Sequence, residues 1–184
     1  MSQERQLPSQ RDNGIRYRHR CAWATKDPLL QRYHDDEWGC PVEDDRAFFE
    51  RFVLEIFQAG LNWRLILYKR EAFRKAFAGF SVLLVASFGK QEIDRLLHDK
   101  GIVRNRRKIE AAIENARIFS RIIDEHGSFK NYLAQFDARD EAGLLREFKK
   151  RFRFMGPKIA GSFLQSVGKI PAPHDPDCWK SNRP

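Results

Sequence analysis

Apolar positions recur along this chain at helical rather than strand spacing. In the stretch 48–63, FFERFVLEIFQAGLNW, Phe48, Phe52 and Ala59 fall on one side of a helix, and Glu55 falls in the same stripe. Residues 105–125 repeat the pattern with Ile109, Ala112, Ile113, Ala116, Phe119 and Ile123. Residues 64–77 predict another helix, with Leu65, Tyr68, Ala72 and Phe73 inward and Lys69, Arg70, Arg74 and Lys75 outward. Local signals place the ends. Asp27-Pro28 starts a short helix reaching about His34, with Asp as N-cap and Pro in the first position. Asp44 caps the helix that holds Glu55, and Ser81 caps a short helix within 80–88. Residues 90–99 form one closed by Lys100-Gly101 as a glycine C-cap. Ser128 opens a helix to about Phe136, Asp140 one to about Phe152, and Gly156-Pro157 the last, Lys158 to Val167. Nothing resembles a β-hairpin signal or a strand–helix alternation, so the chain reads as all-α with eight or nine short helices.

The length of 184 residues suits one domain with a real core. Residues 1–19 are polar and lack periodicity, which predicts a disordered extension ahead of a single domain spanning 20–184. No apolar run approaches the roughly 20 residues of a membrane span, and the N-terminus lacks the apolar stretch of a secretory signal. Three cysteines, Cys21, Cys40 and Cys178, cannot all pair, which favours a reducing, cytoplasmic or nucleoid setting. Cys40 reads as a small buried hydrophobe. There is no signal for self-association, and a monomer is expected.

Charge narrows the partner. The net charge of +9, with a pI near 9.7, favours a polyanion such as nucleic acid or an anionic membrane surface. The excess is clustered. Positions 100–121 carry Lys100, Arg104, Arg106, Arg107, Lys108, Arg117 and Arg121, and positions 146–158 carry six more basic residues of the chain's 34. A solvated helix face is one reading of such runs. FRFMGPKIAGSF (152–163) favours another: a helix ends in aromatics, Gly156-Pro157 turns the chain, and Lys158 enters the first turn of the next helix. That helix-hairpin-helix pattern offers backbone amides and a cation to a DNA phosphate without reading sequence. Gly156, Lys158, Arg104, Arg107 and Lys108 are the candidate backbone contacts.

Two further groups carry chemistry. The segment 20–39, RCAWATKDPLLQRYHDDEWG, interleaves Trp23, Tyr33 and Trp38 with Asp35, Asp36 and Glu37, which reads as a polar loop bearing aromatics. These are either ordinary core or the wall of a site. Cys21 and His34 lie at one end of the domain's sequence, and His174 and Cys178 at the other. Two thiolates and two imidazoles form a donor set suited to tetrahedral zinc, which would tie the termini together and leave no open position for substrate. Because the two halves are far apart in sequence, spacing alone leaves open whether they meet. Glu55 is similarly open. It is either a rim residue with its head in water or a carboxylate facing a cavity, with Trp63 returning beside it after the break at Gly60.

Taken together, RCAWATKDPLLQRYHDDEWGCP, LEIFQAGLNW, LYKRE, GIVRNRRKI, ENAR, FRFMGPKIAGSFLQSVG and the closing H-x3-C resemble the bacterial DNA-3-methyladenine glycosylase I family, in order from Arg20 to Cys178. The resemblance implies an all-α helix-hairpin-helix glycosylase with a structural zinc joining the terminal segments. It places the zinc ligands on Cys21, His34, His174 and Cys178. It places the base-binding acid on Glu55 and the pocket aromatics on Trp23, Tyr33, Trp38 and Trp63. The implied reaction is monofunctional hydrolysis of the N-glycosidic bond of N3-methyladenine, flipped out of alkylated double-stranded DNA, with free 3-methyladenine as product.

Departures are visible. Leu30 stands where the family often has Tyr, and Ile56-Phe57 follow Glu55 where some members have a small or polar pair, which predicts a tighter pocket floor. Asp175 is either a turn former before Pro176 or a residue that stabilises the cationic sugar. Two alternatives differ in class. One is a non-catalytic zinc-containing helix-hairpin-helix DNA-binding protein, which would not need Glu55 in an apolar pocket. The other is a catalytic-zinc oxidoreductase or hydrolase, which four protein ligands disfavour.

Overall fold

A computed structural model describes residues 18–181; the extension expected over 1–19 lies almost wholly outside them. The described residues form ten α-helices and no strand. In order these are α1 (Pro28–Arg32), α2 (Asp45–Gln58), α3 (Trp63–Tyr68), α4 (Arg70–Ala76), α5 (Val82–Ala86), α6 (Lys90–His98), α7 (Arg106–His126), α8 (Phe129–Ala134), α9 (Glu141–Arg151) and α10 (Pro157–Ser166).

The centre of the fold is α2. Every residue from Phe52 to Phe57 is buried, so this part of the helix is enclosed on all sides rather than along one stripe. Asp44 caps it through the Ala47 amide at 3.0 Å. Phe52 meets Phe119 of α7 at 4.9 Å and Phe163 of α10 at 5.1 Å between ring centroids. Phe119 stacks on Phe129 of α8 at 4.0 Å. Each buried ring contributes on the order of 2 kcal/mol of transfer free energy. Clamping α2 between α7 and α10 fixes where the last turn of α2, and therefore Glu55, emerges.

Several expectations change. The helix expected over 64–77 is two, because Lys69 (φ −90°, ψ 0°) breaks it and re-phases the second half. In α3, Ile66 and Leu67 turn inward, while Leu65 and Tyr68 are exposed. Arg70, expected outside, is drawn in by the carboxylates of Glu37 and Glu50. Residues 33–37 do not form a loop: α1 runs on into a π-helical turn, Tyr33–Glu37. Ser81 precedes α5 without a side-chain capping bond. The stop after α6 is made by Asp99, which holds the Gly101 amide at 2.7 Å, rather than by a glycine C-cap. Cys40 is only half-buried.

Candidate active site and metal cluster

A cavity of about 420 Å³ opens where α1, its π-helical extension, the end of α2, the start of α3 and the flank of α10 converge. Trp23, Leu30, Tyr33, Trp38, Glu55 and Trp63 line it. The structure thus brings together all five pocket residues expected from the sequence. The π-helical turn matters here, since its extra residue per turn puts both Tyr33 and Trp38 on the cavity side. Asp27 fixes the entry of this segment, accepting from the Leu29 amide at 2.8 Å and from the Arg64 side chain. That ion pair joins the α1 wall to the α3 wall.

Glu55 is 6% exposed, and among the described residues no donor reaches its carboxylate. Burial pushes its pKa up to about 8. The Tyr33 hydroxyl is held well above its ordinary pKa, first by burial and then by Glu55. Across the cavity wall, the Trp63 indole N–H is buried and has no acceptor. An unmet acceptor and an unmet donor beside one cavity are groups that a ligand would satisfy. The rings meet edge to face or tilted, with Trp23–Trp38 and Tyr33–Trp63 centroids each 5.1 Å apart.

Sequence reasoning missed Gln58, Asn62, Arg64, Ser162 and Gln165, which also line the cavity. Only Asn62 carried a signal, as the N-cap of α3 accepting from the Arg64 amide at 2.8 Å. Ile56 and Phe57 do not form the pocket floor. Both are fully buried on the inner side of α2, and Phe57 packs on Phe73 and Phe77. Of the three departures, Leu30 alone touches the cavity.

Cys21, His34, His174 and Cys178 meet behind this wall, with their ligand atoms all within 4.8 Å of one another. Cys21 Sγ lies 3.4 Å from His174 Nδ1, and Cys178 Sγ lies 3.4 Å from His34 Nε2 and 3.6 Å from His174 Nδ1. Tetrahedral coordination at about 2.0–2.3 Å per bond spaces donors roughly 3.3–3.8 Å apart, so the cluster fits a small metal ion. The outer partners fit too. Asp35 accepts from His34 Nδ1 at 2.9 Å and is itself gripped by Arg20 at 2.8 Å, and the Trp179 indole reaches it at 3.3 Å. The cluster also packs against the pocket: the His174 ring lies 4.6 Å from Trp38, and His34 lies 5.4 Å from Trp23. The Cys/His cluster therefore sets the back wall of the cavity as well as bringing together residues 153 apart. Asp175 accepts from the Ala22 amide at 2.7 Å and does not line the cavity.

The basic residues divide. Arg104, Arg107 and Lys158 are exposed, and space around Gly156 is open. Arg107 sits 5.8 Å from the Phe154 ring, and buried Asn115 clamps both backbone groups of Arg153, at 2.8 and 2.9 Å. The α7 start and the α9–α10 turn thus share one face. Lys108 is the exception. It is 6% exposed and donates to the Phe57 and Ala59 carbonyls at 2.9 and 2.6 Å, closing the end of α2. Its ammonium is engaged at a helix terminus and is not offered to DNA.

Residues 23–150 match the family described as methyladenine glycosylase. The chain is 38% identical to DNA-3-methyladenine glycosylase 1 of Escherichia coli (strain K12), covering 82% of this chain and 91% of that one. Among solved structures, a 3-methyladenine DNA glycosylase I superposes with a TM-score of 0.78 at 34% identity, covering 88% of this chain and 98% of that one. The Staphylococcus aureus enzyme, solved to explain 3-methyladenine recognition, gives 0.76 at 35% identity, covering 86% and 94%.

Proposed function

The chain belongs to the methyladenine glycosylase family, and from that premise we propose that it excises N3-methyladenine from alkylated duplex DNA by hydrolysing the N-glycosidic bond. The observation that carries the reading is Glu55, a buried carboxylate with no donor among the described residues, facing an aromatic cavity. Alkylation at N3 makes adenine a cation. A flipped cationic base would sit against Trp23, Tyr33, Trp38 and Trp63 through cation–π contact. Its positive edge would offset the desolvation that keeps Glu55 protonated, so Glu55 releases its proton and accepts a charge-assisted hydrogen bond. Neutral adenine offers no charge and leaves that desolvation cost standing. Water then attacks C1′ as the base departs with the bond's electron pair. Among the described residues no lysine lines the cavity, which supports a monofunctional enzyme that forms no Schiff base.

Duplex DNA would rest on Gly156, Lys158, Arg104 and Arg107. Gly156 begins the helix whose Ser162 and Gln165 line the cavity, about 9 and 14 Å further along at 1.5 Å per residue. An anchored phosphate and the flipped base would thus be read by one rigid rod. Zinc is the ion we assign to the four-ligand cluster. With every position taken by protein, it would serve structure alone. Exposed Leu61, at the turn beside Glu55's helix, has the placement of an apolar wedge for the vacated stack. No described helix is long and apolar enough to cross a membrane, and we place the protein with chromosomal DNA in the cytoplasm, as a monomer.

The test is release of free methylated bases from alkylated DNA by wild type and Glu55→Ala. The expected outcome is release by wild type, reduced 100-fold or more in the variant. No release by wild type favours the DNA-binding protein without catalysis, and equal release removes the role given to Glu55. Metal is checked separately. Zinc should be present at one ion per chain in purified protein, and chelation should lower Tm and blunt the pocket tryptophan fluorescence together, because Trp38 rests on His174.

A further inference from the structure

Arg64 stands between two cavities. It lines the base pocket, and with Asn62, Leu65 and Tyr68 it lines a second recess of about 400 Å³ on the outer side of α3. Its guanidinium is not free to wander. Nε is held by Asp27, a carboxylate only 5% exposed that also caps α1 and accepts from the Tyr68 hydroxyl at 3.3 Å. Arg64 lies 4.9 Å from the Tyr68 ring, with Nη2 3.5 Å from its hydroxyl. Nη1 has no partner among the described residues, and the side chain is 56% exposed. A guanidinium oriented through one nitrogen by a buried acid, with its outer edge in solvent, is prepared for a second anion. The neighbouring surface is unusual for an exposed helix, because Leu65 and Tyr68 are 41% and 58% exposed. Those two side chains offer an apolar and an aromatic face to a sugar or base beyond the pocket mouth.

We propose that Arg64 binds the DNA phosphate flanking the flipped nucleotide, on the side opposite the α10 anchor, and that Leu65 and Tyr68 receive the adjoining nucleotide of the same strand. The proposal rests on the glycosylase reading above. It makes the grip on the lesion strand two-sided: Gly156 and Lys158 on one side of the pocket, Arg64 on the other. Asp27 is then a positioning residue, fixing the phosphate clamp and the α1 wall from one carboxylate.

The experiment compares wild type, Arg64→Ala and Arg64→Lys in three measurements: binding of free 3-methyladenine by pocket tryptophan fluorescence, single-turnover excision from duplex DNA at varied salt, and excision from duplexes carrying a neutral methylphosphonate at one phosphate beside the lesion. Arg64→Ala should weaken half-saturation on DNA about tenfold more than it weakens free-base binding, and lower the slope of log affinity against log salt by about 0.9. Arg64→Lys should restore the slope. The methylphosphonate should weaken wild type and leave Arg64→Ala unaffected at one phosphate position only. An unchanged slope in Arg64→Ala, or equal weakening of both proteins at every methylphosphonate position, overturns the phosphate contact. Equal weakening of free-base binding and of DNA half-saturation in Arg64→Ala would mean that Arg64 acts on the base alone, and would also overturn it. Absence of excision by wild type with free-base binding intact would instead fail the glycosylase reading, leaving the DNA-affinity comparison to judge Arg64 by itself.

Discussion

One helix carries two buried glutamates with opposite surroundings. Glu50, 8% exposed, is met by Arg70 and by Arg74, whose guanidinium approaches to 2.9 Å. Glu55, five residues on and 6% exposed, is met by no donor among the described residues. A buried carboxylate with partners near it belongs to the fold, since it binds α2 to α4 and, through Arg70, to Glu37 of the π-helical turn. A buried carboxylate without partners is a cost the fold carries, and here it faces a cavity lined by four aromatics. Burial alone does not separate a structural acid from a functional one; the set of donors around each does.

The largest expected effects come from crossing the two sites. Glu55→Gln should cut excision by 100-fold or more while leaving Tm at about pH 4 near the wild-type value, because there the acid is protonated both folded and unfolded. Glu50→Gln should keep excision within a few-fold and lose about 1–3 kcal/mol of stability, less than a fully buried pair would because Arg74 is 39% exposed. That corresponds to a Tm lower by roughly 3–10 °C. Thermal unfolding and single-turnover excision on both variants read the cross. If Glu50→Gln abolishes excision at unchanged Tm, the division between the two acids is wrong.

pH gives the next effect. The folded Glu55 titrates near 8, above the ordinary 4.5 of an unfolded glutamate. Folding therefore favours the protonated form. The stability this gives is fully present below pH 4.5, declines as pH rises, and is lost through pH 8. Wild type should thus lose stability relative to Glu55→Gln between about pH 4.5 and 8 and level off above, with a slope of at most about 1.4 kcal/mol per pH step of one. Excision has the opposite sign, because the acceptor must be ionised. kcat/KM for the wild type should rise as pH increases toward about 8, by up to tenfold per pH step of one, and Glu55→Gln should lack that limb. Parallel pH profiles of the two proteins would remove Glu55 from the titration.

The sequence carried the helices well where periodicity was long, as in α2 and α7, and the caps at Asp27 and Asp44 were legible because one side chain decides them. It failed where tertiary partners decide. Arg70 reads as an outward residue until Glu37 and Glu50, far along the chain, are brought beside it. Lys108 reads as part of a phosphate-binding run, yet the end of α2 needs a donor for the carbonyls of Phe57 and Ala59, and Lys108 is the side chain that reaches them. The pocket aromatics and Glu55 were legible through family motifs. Arg64 was not, because its meaning depends on Asp27, which local sequence explains completely as a cap.

The smallest effect sharpens the contrast between the two sides of α2. Ile56 and Phe57, expected to tighten the pocket floor, instead face the core, where a smaller side chain would cost stability by leaving a cavity. Leu30, by contrast, faces the cavity with Trp23 and Tyr33. Leu30→Tyr would add a ring to a cavity of about 420 Å³ without touching the core. The ratio of N3-methyladenine to N3-ethyladenine excision should rise a few-fold, since one methylene in a pocket is worth on the order of 1–3 kcal/mol when the wall resists it. Ile56→Val should leave that ratio unchanged and lower stability by about 1 kcal/mol. A shift in the ratio from Ile56→Val and none from Leu30→Tyr would mean that specificity passes through the core side of α2 after all.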